Sequence, residues 1–185
     1  MAEQVDRRQA LVNAAFSAIA ERGFEGFRLR PIAAAAGIDH STLHHYFPTK
    51  ADLIAAVLQH VTSQFEATMH VALEPAARLR RHLGEIAAAV VERPELFIVL
   101  DEFDLRARRD ASMAATIKRD EQGWRDALVA IFEEGVEQRI WSVDLDVNAS
   151  VELVIATLKG SRLRPETAEA VAKQLCDLFS TGARA

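Results

Sequence analysis

Apolar side chains recur along this chain at intervals of three and four residues, the spacing of one helix face. The first stripe, through Leu11, Ala15 and Ile19, predicts a helix from Asp6 to Arg22 that Gly23 ends. Similar stripes predict helices over residues 32–36, 40–46, 49–70, 76–92, from 94 onward, 111–138, 147–160 and 166–179. Pro75 is expected to end or interrupt the helix that starts at residue 49. The fold class predicted is all-α, with about nine helices.

The stretch from Ile32 to Lys50 predicts two short helices joined by a turn. Gly37 can adopt the positive φ of a helix end, and Asp39 stands where a side chain can cap the second helix. Leu43 and Phe47 lie four residues apart and are expected on its buried side. This arrangement is typical of a helix-turn-helix, whose second helix enters the major groove of DNA.

The other face of this second helix carries hydroxyl and imidazole groups, which can donate hydrogen bonds to base edges or phosphates. The residues predicted to face DNA are His40, Ser41, Thr42, His44, His45 and Tyr46. Lys50 at the next helix start favours phosphate, and Arg28 and Arg30 are further phosphate candidates. The competing interpretations are a solvated helix face, an ordinary surface lysine, and burial of Tyr46 against the first helix. Whether His44 or Tyr46 contacts a phosphate is left open.

Charge and composition narrow the functional class. Half of the residues are hydrophobic, which predicts a globular protein, and the net charge of −5 argues against indiscriminate nucleic-acid binding. Residues 1–50 carry six basic and five acidic side chains, so any DNA contact is expected in this part. The chain has one cysteine, no apolar run of membrane-spanning length and no signal-peptide pattern at its start. These features predict a cytoplasmic protein that does not enter a membrane.

Metal and catalytic chemistry are weakly supported. His40 and His44 are four residues apart, as are Glu66 and His70, but neither pair has a third ligand nearby in the sequence. Cys176 falls among core positions and is expected to be a buried hydrophobe. Since the chain shows no nucleophile motif or phosphate-binding loop, we predict no catalytic site, no metal and no cofactor.

The segment LDEFDLRARRD concentrates charge. Glu102 and Arg106 are one helical turn apart, so they are expected to form an ion pair on a solvated face. The alternative is that one of them points inward and orients a ligand. Apolar residues that could line such a pocket, or equally form the core, are Phe97, Leu100, Phe103, Met113 and Trp124.

Residues from Arg7 to about Val57 resemble the N-terminal domain of the TetR family of transcriptional regulators. The resemblance rests on the alanine-rich first helix, the turn at Gly23, Ile32-Ala33, Ala36-Gly37-Ile38, Ser41-Thr42-Leu43, Phe47, Lys50 and Leu53. The chain departs from the family pattern at His44, where Tyr is usual, and at Phe27 and Arg28, where Thr or Ser often caps the second helix.

The resemblance implies a DNA-binding domain over residues 1–52 and a helical effector-binding and dimerisation domain over residues 53–185. It implies a homodimeric repressor that pairs through its last two helices, from Val147 to Gly160 and from Glu166 to Phe179. Such a dimer reads a palindromic operator and is released from it by a small molecule, with the helix from Thr49 to His70 carrying the change. The alternatives are a helical-bundle enzyme, or an adaptor that keeps the fold without specific DNA binding.

Overall fold

The computed structural model describes residues 2–181, and the all-α prediction is confirmed: this part of the chain holds nine α-helices and no strand. The helices are α1 (Ala2–Gly26), α2 (Leu29–Ala35), α3 (His40–Tyr46), α4 (Lys50–Met69), α5 (Pro75–Glu92), α6 (Pro94–Ala107), α7 (Ala111–Glu137), α8 (Val147–Ser161) and α9 (Ala168–Thr181). A 3-10 turn, Pro165–Thr167, precedes α9. Among the described residues, no helix combines the length and apolar character that crossing a membrane requires.

Two compact units make up the described chain. The first contains residues 2–63 and 95–120, and the second contains residues 64–94 and 121–181. Helix α6 therefore belongs to the same unit as α1, α2 and α3. The functional boundary expected between residues 52 and 53 stays a prediction.

The core of the first unit follows the predicted apolar stripes. Leu11, Ala15 and Ile19 of α1 are fully buried, and the buried residues of α3 and its end are Leu43 and Phe47. Helix α2 packs against both α1 and α3. Burial of these side chains holds two helices of seven residues each, lengths that are unstable in isolation.

The ends of the helices match the predictions in part. Thr49 and Asp52 form the start of α4 by mutual capping: the Asp52 N–H donates to Thr49 Oγ1 at 3.1 Å, and the Thr49 N–H donates to Asp52 Oδ2 at 2.9 Å. The side-chain cap predicted for Asp39 is wrong, because this residue precedes α3 but makes no capping hydrogen bond. Arg28 likewise begins α2 without a side-chain cap.

Glycine and proline act at two further helix ends. Gly23 takes φ 62°, as a helix end requires, yet one more helical turn follows it as far as Gly26, so α1 is kinked there and extends beyond its predicted end. Pro75 does not interrupt α4, which already ends at Met69. It is instead the first residue of α5, where its missing N–H costs no hydrogen bond.

In the second unit, α5 packs against α8 and α9. Leu79, Leu83, Val154 and Leu175 are buried in this core. Leu178 of α9 is 53% exposed, although it lies one turn from the buried Leu175. The stripe on α9 is therefore narrower than its composition indicates.

Gly135, in α7, lies against a rigid neighbour. A Cβ placed there would lie 2.2 Å from two atoms of the Trp141 ring. Trp141 is only 3% exposed and stacks on Phe132 with ring centroids 4.9 Å apart, so the ring has little room to move. We expect Gly135→Ala to lower the free energy of unfolding by about 1–3 kcal/mol, the usual cost of overpacking.

Gly123 of the same helix provides the matched control, since nothing would lie within 4 Å of a Cβ there. Gly123→Ala should raise the free energy of unfolding by roughly 0.5–1 kcal/mol through helix propensity. Urea unfolding of both variants checks the difference in sign. Equal stabilisation of the two variants would show that Trp141 does not confine Gly135.

Candidate DNA-binding and effector sites

The buried and exposed faces of α3 are separated as the sequence predicts. Leu43 and Phe47 are at most 1% exposed and anchor the helix to its unit. The candidate DNA-facing residues that are exposed are His40, Ser41, His44 and His45, while Thr42 and Tyr46 are half-buried. The exposed face contains no acidic side chain. Its hydroxyl and imidazole groups can therefore donate hydrogen bonds to phosphates with no carboxylate on that face to repel them.

The imidazoles of α3 form a local cluster. The rings of His40 and His44 meet edge to face with centroids 5.4 Å apart. This contact orients His44, the residue that stands where the family usually has Tyr. Because a neutral imidazole has one donor and one acceptor nitrogen, the pair can present either to a base edge or a phosphate.

Cations flank α3 on two neighbouring helices. Lys50 is exposed at the first residue of α4, and its Nζ lies 5.1 Å from the centroid of the Phe27 ring. The guanidinium of Arg8 lies 4.7 Å from the centroid of the Phe47 ring, at the end of α3. These aromatic contacts hold the two cations close to the reading helices while leaving their charges on the surface.

Arg8 was not among the predicted site residues. The signal available in the sequence was a basic pair, Arg7 and Arg8, near the start of the first helix. Nothing in the sequence connects that pair to Phe47, because the contact joins residues on different helices. Arg28 and Arg30 were predicted, and both are exposed at the start of α2.

The predicted ligand-binding residues are divided between the two units. Phe97, Phe103 and Met113 are buried in the first unit, and Leu100 is half-buried in the same unit. Trp124 belongs to the second unit, where its Nε1–H donates to His82 Nε2 at 2.8 Å. Their assignment to an effector pocket stays a prediction.

The expected ion pair between Glu102 and Arg106 is wrong. Arg106 pairs with Asp110 at 3.5 Å, and its guanidinium lies 5.3 Å from the centroid of the Phe24 ring. Glu102 instead accepts a hydrogen bond from the backbone N–H of Phe24 at 3.2 Å. The carboxylate of α6 therefore reaches the kinked end of α1, a contact that local helical spacing does not reveal.

Glu102 and Arg106 line a cleft of about 670 Å³ in the first unit. The walls come from the last turn of α1, the last turns of α6 and the segment that leads into α7. The side chains that face the cleft include Phe24, Glu25, Glu102, Leu105, Arg106 and Arg109. This volume lies within the range of small-molecule sites, roughly 300–1,000 Å³.

A hydrogen-bonded histidine lies in the second unit. His82 is 1% exposed, its Nδ1 lies 2.6 Å from Thr68 Oγ1, and its Nε2 accepts from Trp124. Thr68 Oγ1 in turn donates to the Phe65 carbonyl at 2.6 Å. Burial lowers the pKa of His82 to about 4. The ring is therefore neutral at physiological pH, with its proton on Nδ1.

Other candidate chemistry has little structural support. Within residues 2–181, no group of three or more His, Cys, Asp or Glu side chains is arranged to hold a metal ion. Cys176 is buried, and burial raises the pKa of its thiol, which disfavours the reactive thiolate.

The helix-turn-helix unit matches a known family. Residues 11–57 match the sequence model of the bacterial regulatory proteins of the tetR family. This segment matches the DNA-binding domain of the TetR family. The predicted resemblance is thereby confirmed over residues 11–57.

Relatives of this chain extend the similarity beyond the matched segment. The transcriptional repressor NicS of Pseudomonas putida is 26% identical over 162 residues, 85% of this chain and 76% of NicS. A putative TetR-family regulator from Rhodococcus sp. has the same fold, with a TM-score of 0.82 and 20% identity over 97% of this chain and 99% of that chain. AibR, solved in complex with isovaleryl coenzyme A and operator DNA, has a TM-score of 0.70 and 21% identity over 94% of this chain and 98% of that chain.

Proposed function

We propose that this protein is a homodimeric transcriptional repressor that binds a palindromic operator and is released from it by a small-molecule effector. The observation that carries the proposal is the exposed, acid-free face of α3, held on a packed helix-turn-helix. Its relatives are named as transcriptional regulators, which favours this role over an enzyme.

The DNA contacts divide into reading and positioning groups. His40, Ser41, His44 and His45 read base edges from the exposed face of α3. Phosphates are held by Lys50, Arg28 and Arg30, and by Arg8 on α1. Thr42 and Tyr46 are half-buried, so they contribute through their hydroxyl groups at the edge of the interface.

The dimer forms through α8 and α9. Helix α8 carries an exposed stripe with spacings of four, three and four residues, Ala149, Leu153, Ala156 and Gly160. This stripe contains no charge, and small side chains allow a second helix to approach closely. Because a twofold axis brings the same surfaces together, two copies of α8 and α9 form a four-helix interface and space the two α3 helices for successive turns of DNA.

Release follows from the difference in effector affinity between two forms of the dimer. An effector that prefers a form with wrongly spaced α3 helices shifts the population away from DNA, and DNA weakens effector binding by the same factor. AibR, which shares the fold, was solved in complex with both isovaleryl coenzyme A and operator DNA. Helix α4, which begins beside α3 in the sequence, carries the change.

Selection from a random double-stranded DNA library tests the proposal with the full-length protein in moderate salt. We expect enrichment of a palindrome with half-sites about one helical turn apart. The selected duplex should bind at nanomolar protein concentration. Recovery of no preferred sequence would contradict the repressor and favour the adaptor that retains only the fold.

Lys50→Ala should weaken binding to specific and random DNA alike and reduce the slope of log affinity against log salt by about one unit. The physical reason is that one phosphate contact, with its released counterion, is lost. Titrations at several salt concentrations provide the measurement. Lys118→Ala removes another exposed charge, from α7, and serves as the control. A slope that stays the same in Lys50→Ala would reject the phosphate contact.

A further inference from the structure

The cleft between the ends of α1 and α6 contains groups that the DNA-binding function does not use. Phe24 lies at its wall under the guanidinium of Arg106, and the rings of Phe24 and Phe103 meet edge to face with centroids 5.1 Å apart. Leu105 adds an aliphatic wall and is 56% exposed. An exposed leucine beside an aromatic ring suits the apolar part of a small molecule.

The acidic side chains around the cleft differ in how many hydrogen bonds and ion pairs they already form. Asp110 accepts from the Ser112 hydroxyl at 2.9 Å and from the backbone N–H groups of Ser112 and Met113 at 3.1 and 3.2 Å. The Ser112 hydroxyl hydrogen bond, with a smaller contribution from nearby Arg106, lowers the pKa of Asp110. Asp110 is therefore an ionised carboxylate, and it already accepts hydrogen bonds from the first residues of α7.

Two other carboxylates retain acceptor capacity. Glu102 accepts only from the Phe24 N–H, through Oε2 at 3.2 Å, although a carboxylate has about four acceptor positions. Glu25 is exposed at the same wall. Together with Asp110, Glu102 and Glu25 give the cleft three carboxylates, compared with two guanidinium groups, those of Arg106 and Arg109. Since Arg106 already pairs with Asp110, the remaining groups favour a positive ligand.

We propose that this cleft binds an amphipathic organic cation, an amine with an apolar body. Its ammonium group donates to Glu102 and Glu25, and its apolar body packs on Phe24 and Leu105. The last turns of α1 and α6 contribute partial negative charge in the same direction. An anionic ligand would meet two carboxylates, Glu102 and Glu25, against a single guanidinium, Arg109, that is not already paired with Asp110.

Binding at this site changes how the end of α1 is held. A Cβ at Gly23 would lie 2.7 Å from Glu102 Oε2, so the carboxylate lies directly against the kink where φ is 62°. An ammonium that draws Glu102 toward itself weakens the hydrogen bond from the Phe24 N–H. Helix α1 packs on α2, so this consequence for DNA affinity rests on the proposed repressor function. The binding site itself does not.

Calorimetric titration of the full-length protein, without DNA, tests the site with three probes that share one apolar body. The probes are 4-phenylbutylamine, 4-phenylbutan-1-ol and 4-phenylbutanoate, at a pH where the amine is protonated. We expect the amine to bind about tenfold more tightly than the alcohol, and the carboxylate to bind most weakly.

Glu102→Gln keeps an oxygen that can accept from the Phe24 N–H but removes the charge. It should lower the affinity for the amine about tenfold, to that of the alcohol, and leave the affinity for the alcohol unchanged. Glu95→Gln, at an exposed residue of the same helix that does not line the cleft, is the matched control. A thermal melt of each variant confirms that it folds.

Preference for the carboxylate probe would overturn the proposal and identify Arg106 and Arg109 as the anchors. Equal binding of all three probes, no binding of the amine, or an unchanged amine affinity in Glu102→Gln would overturn it as well. Operator selection is a separate measurement. Amine binding by a protein that selects no DNA would reject the repressor and keep the site, and the opposite result would reject the site alone.

Discussion

Leu153→Glu should convert the dimer into a monomer and lower the affinity for a palindromic operator by at least about a hundredfold. Leu153 is 47% exposed in the middle of the uncharged stripe of α8. In a twofold interface each substitution occurs twice, and here it places two like charges near the axis in an apolar contact. Burying a carboxylate without a partner costs several kcal/mol, and the cost is incurred twice in the dimer.

The effect on DNA binding follows from the loss of the second half-site. A monomer keeps its contacts to phosphate but reads only one half of the operator, and specific binding typically exceeds non-specific binding by about 10³–10⁷. Losing one of two reading helices therefore removes a large share of that ratio. Affinity for random DNA should fall far less than affinity for the operator.

Leu73→Glu is the matched control, because Leu73 is 43% exposed and lies outside α8 and α9. Sedimentation velocity should give Leu73→Glu twice the 20.4 kDa mass of one chain, and Leu153→Glu the mass of a single chain. A Leu153→Glu protein that remains dimeric and binds its operator would place the interface elsewhere. Dissociation of both variants would show that the charge acts non-specifically.

The spacing of residues along the sequence was sufficient to predict the structure wherever the burial of one helix face determines it. Leu43 and Phe47 are one turn apart and both are buried, because a short helix has only one stripe to pack. Thr49 and Asp52 are also close in sequence, and their mutual capping is a local hydrogen-bond pattern. Such features depend on neighbours three or four residues away, which the sequence displays directly.

Contacts between distant residues could not be predicted in this way. Glu102 had a plausible partner one turn away, but it accepts instead from Phe24, 78 residues earlier in the chain. The tertiary contact prevails because an exposed ion pair within a helix contributes only about 0.3–0.5 kcal/mol. The hydrogen bond satisfies a backbone N–H at the kinked end of α1, where regular helical bonding is interrupted.

Trp124 illustrates the same limit for the candidate effector residues. Its apolar ring led to the prediction that it lines a pocket. In the structure its N–H donates a hydrogen bond to His82, 42 residues away in the sequence. A tryptophan that is partly buried needs a partner for this donor. The sequence shows the need but not the partner.

Acidification should destabilise the protein through His82. Its pKa is lowered by burial to about 4 in the folded protein, against 6.5 for the free side chain. Below pH 6.5 the unfolded chain binds a proton that the folded chain does not accept until about pH 4. The stabilisation is therefore complete above pH 7, and it falls as the pH drops from 6.5 to 4, by about 3 kcal/mol in total and about 2 kcal/mol at pH 5.

His82→Gln removes the titrating group and keeps a neutral amide that can bond to Trp124 or Thr68. The variant should be less stable than the unsubstituted protein at pH 8 by about 1–2 kcal/mol, because the amide fits the two partners less well. This difference should shrink or reverse at pH 5, since the variant does not pay the protonation cost. Urea unfolding at both pH values measures it.

His70→Gln, at an exposed histidine just beyond α4, is the control and should keep the pH dependence of the unsubstituted protein. Apart from the substituted histidines, the three proteins carry the same titrating groups, so the comparison isolates the buried imidazole. Parallel stability curves for His82→Gln and the unsubstituted protein would mean that His82 accepts a proton without unfolding. The hydrogen bond from the Trp124 N–H to Nε2 argues against that outcome, because a protonated Nε2 would turn an acceptor into a second donor facing the indole N–H.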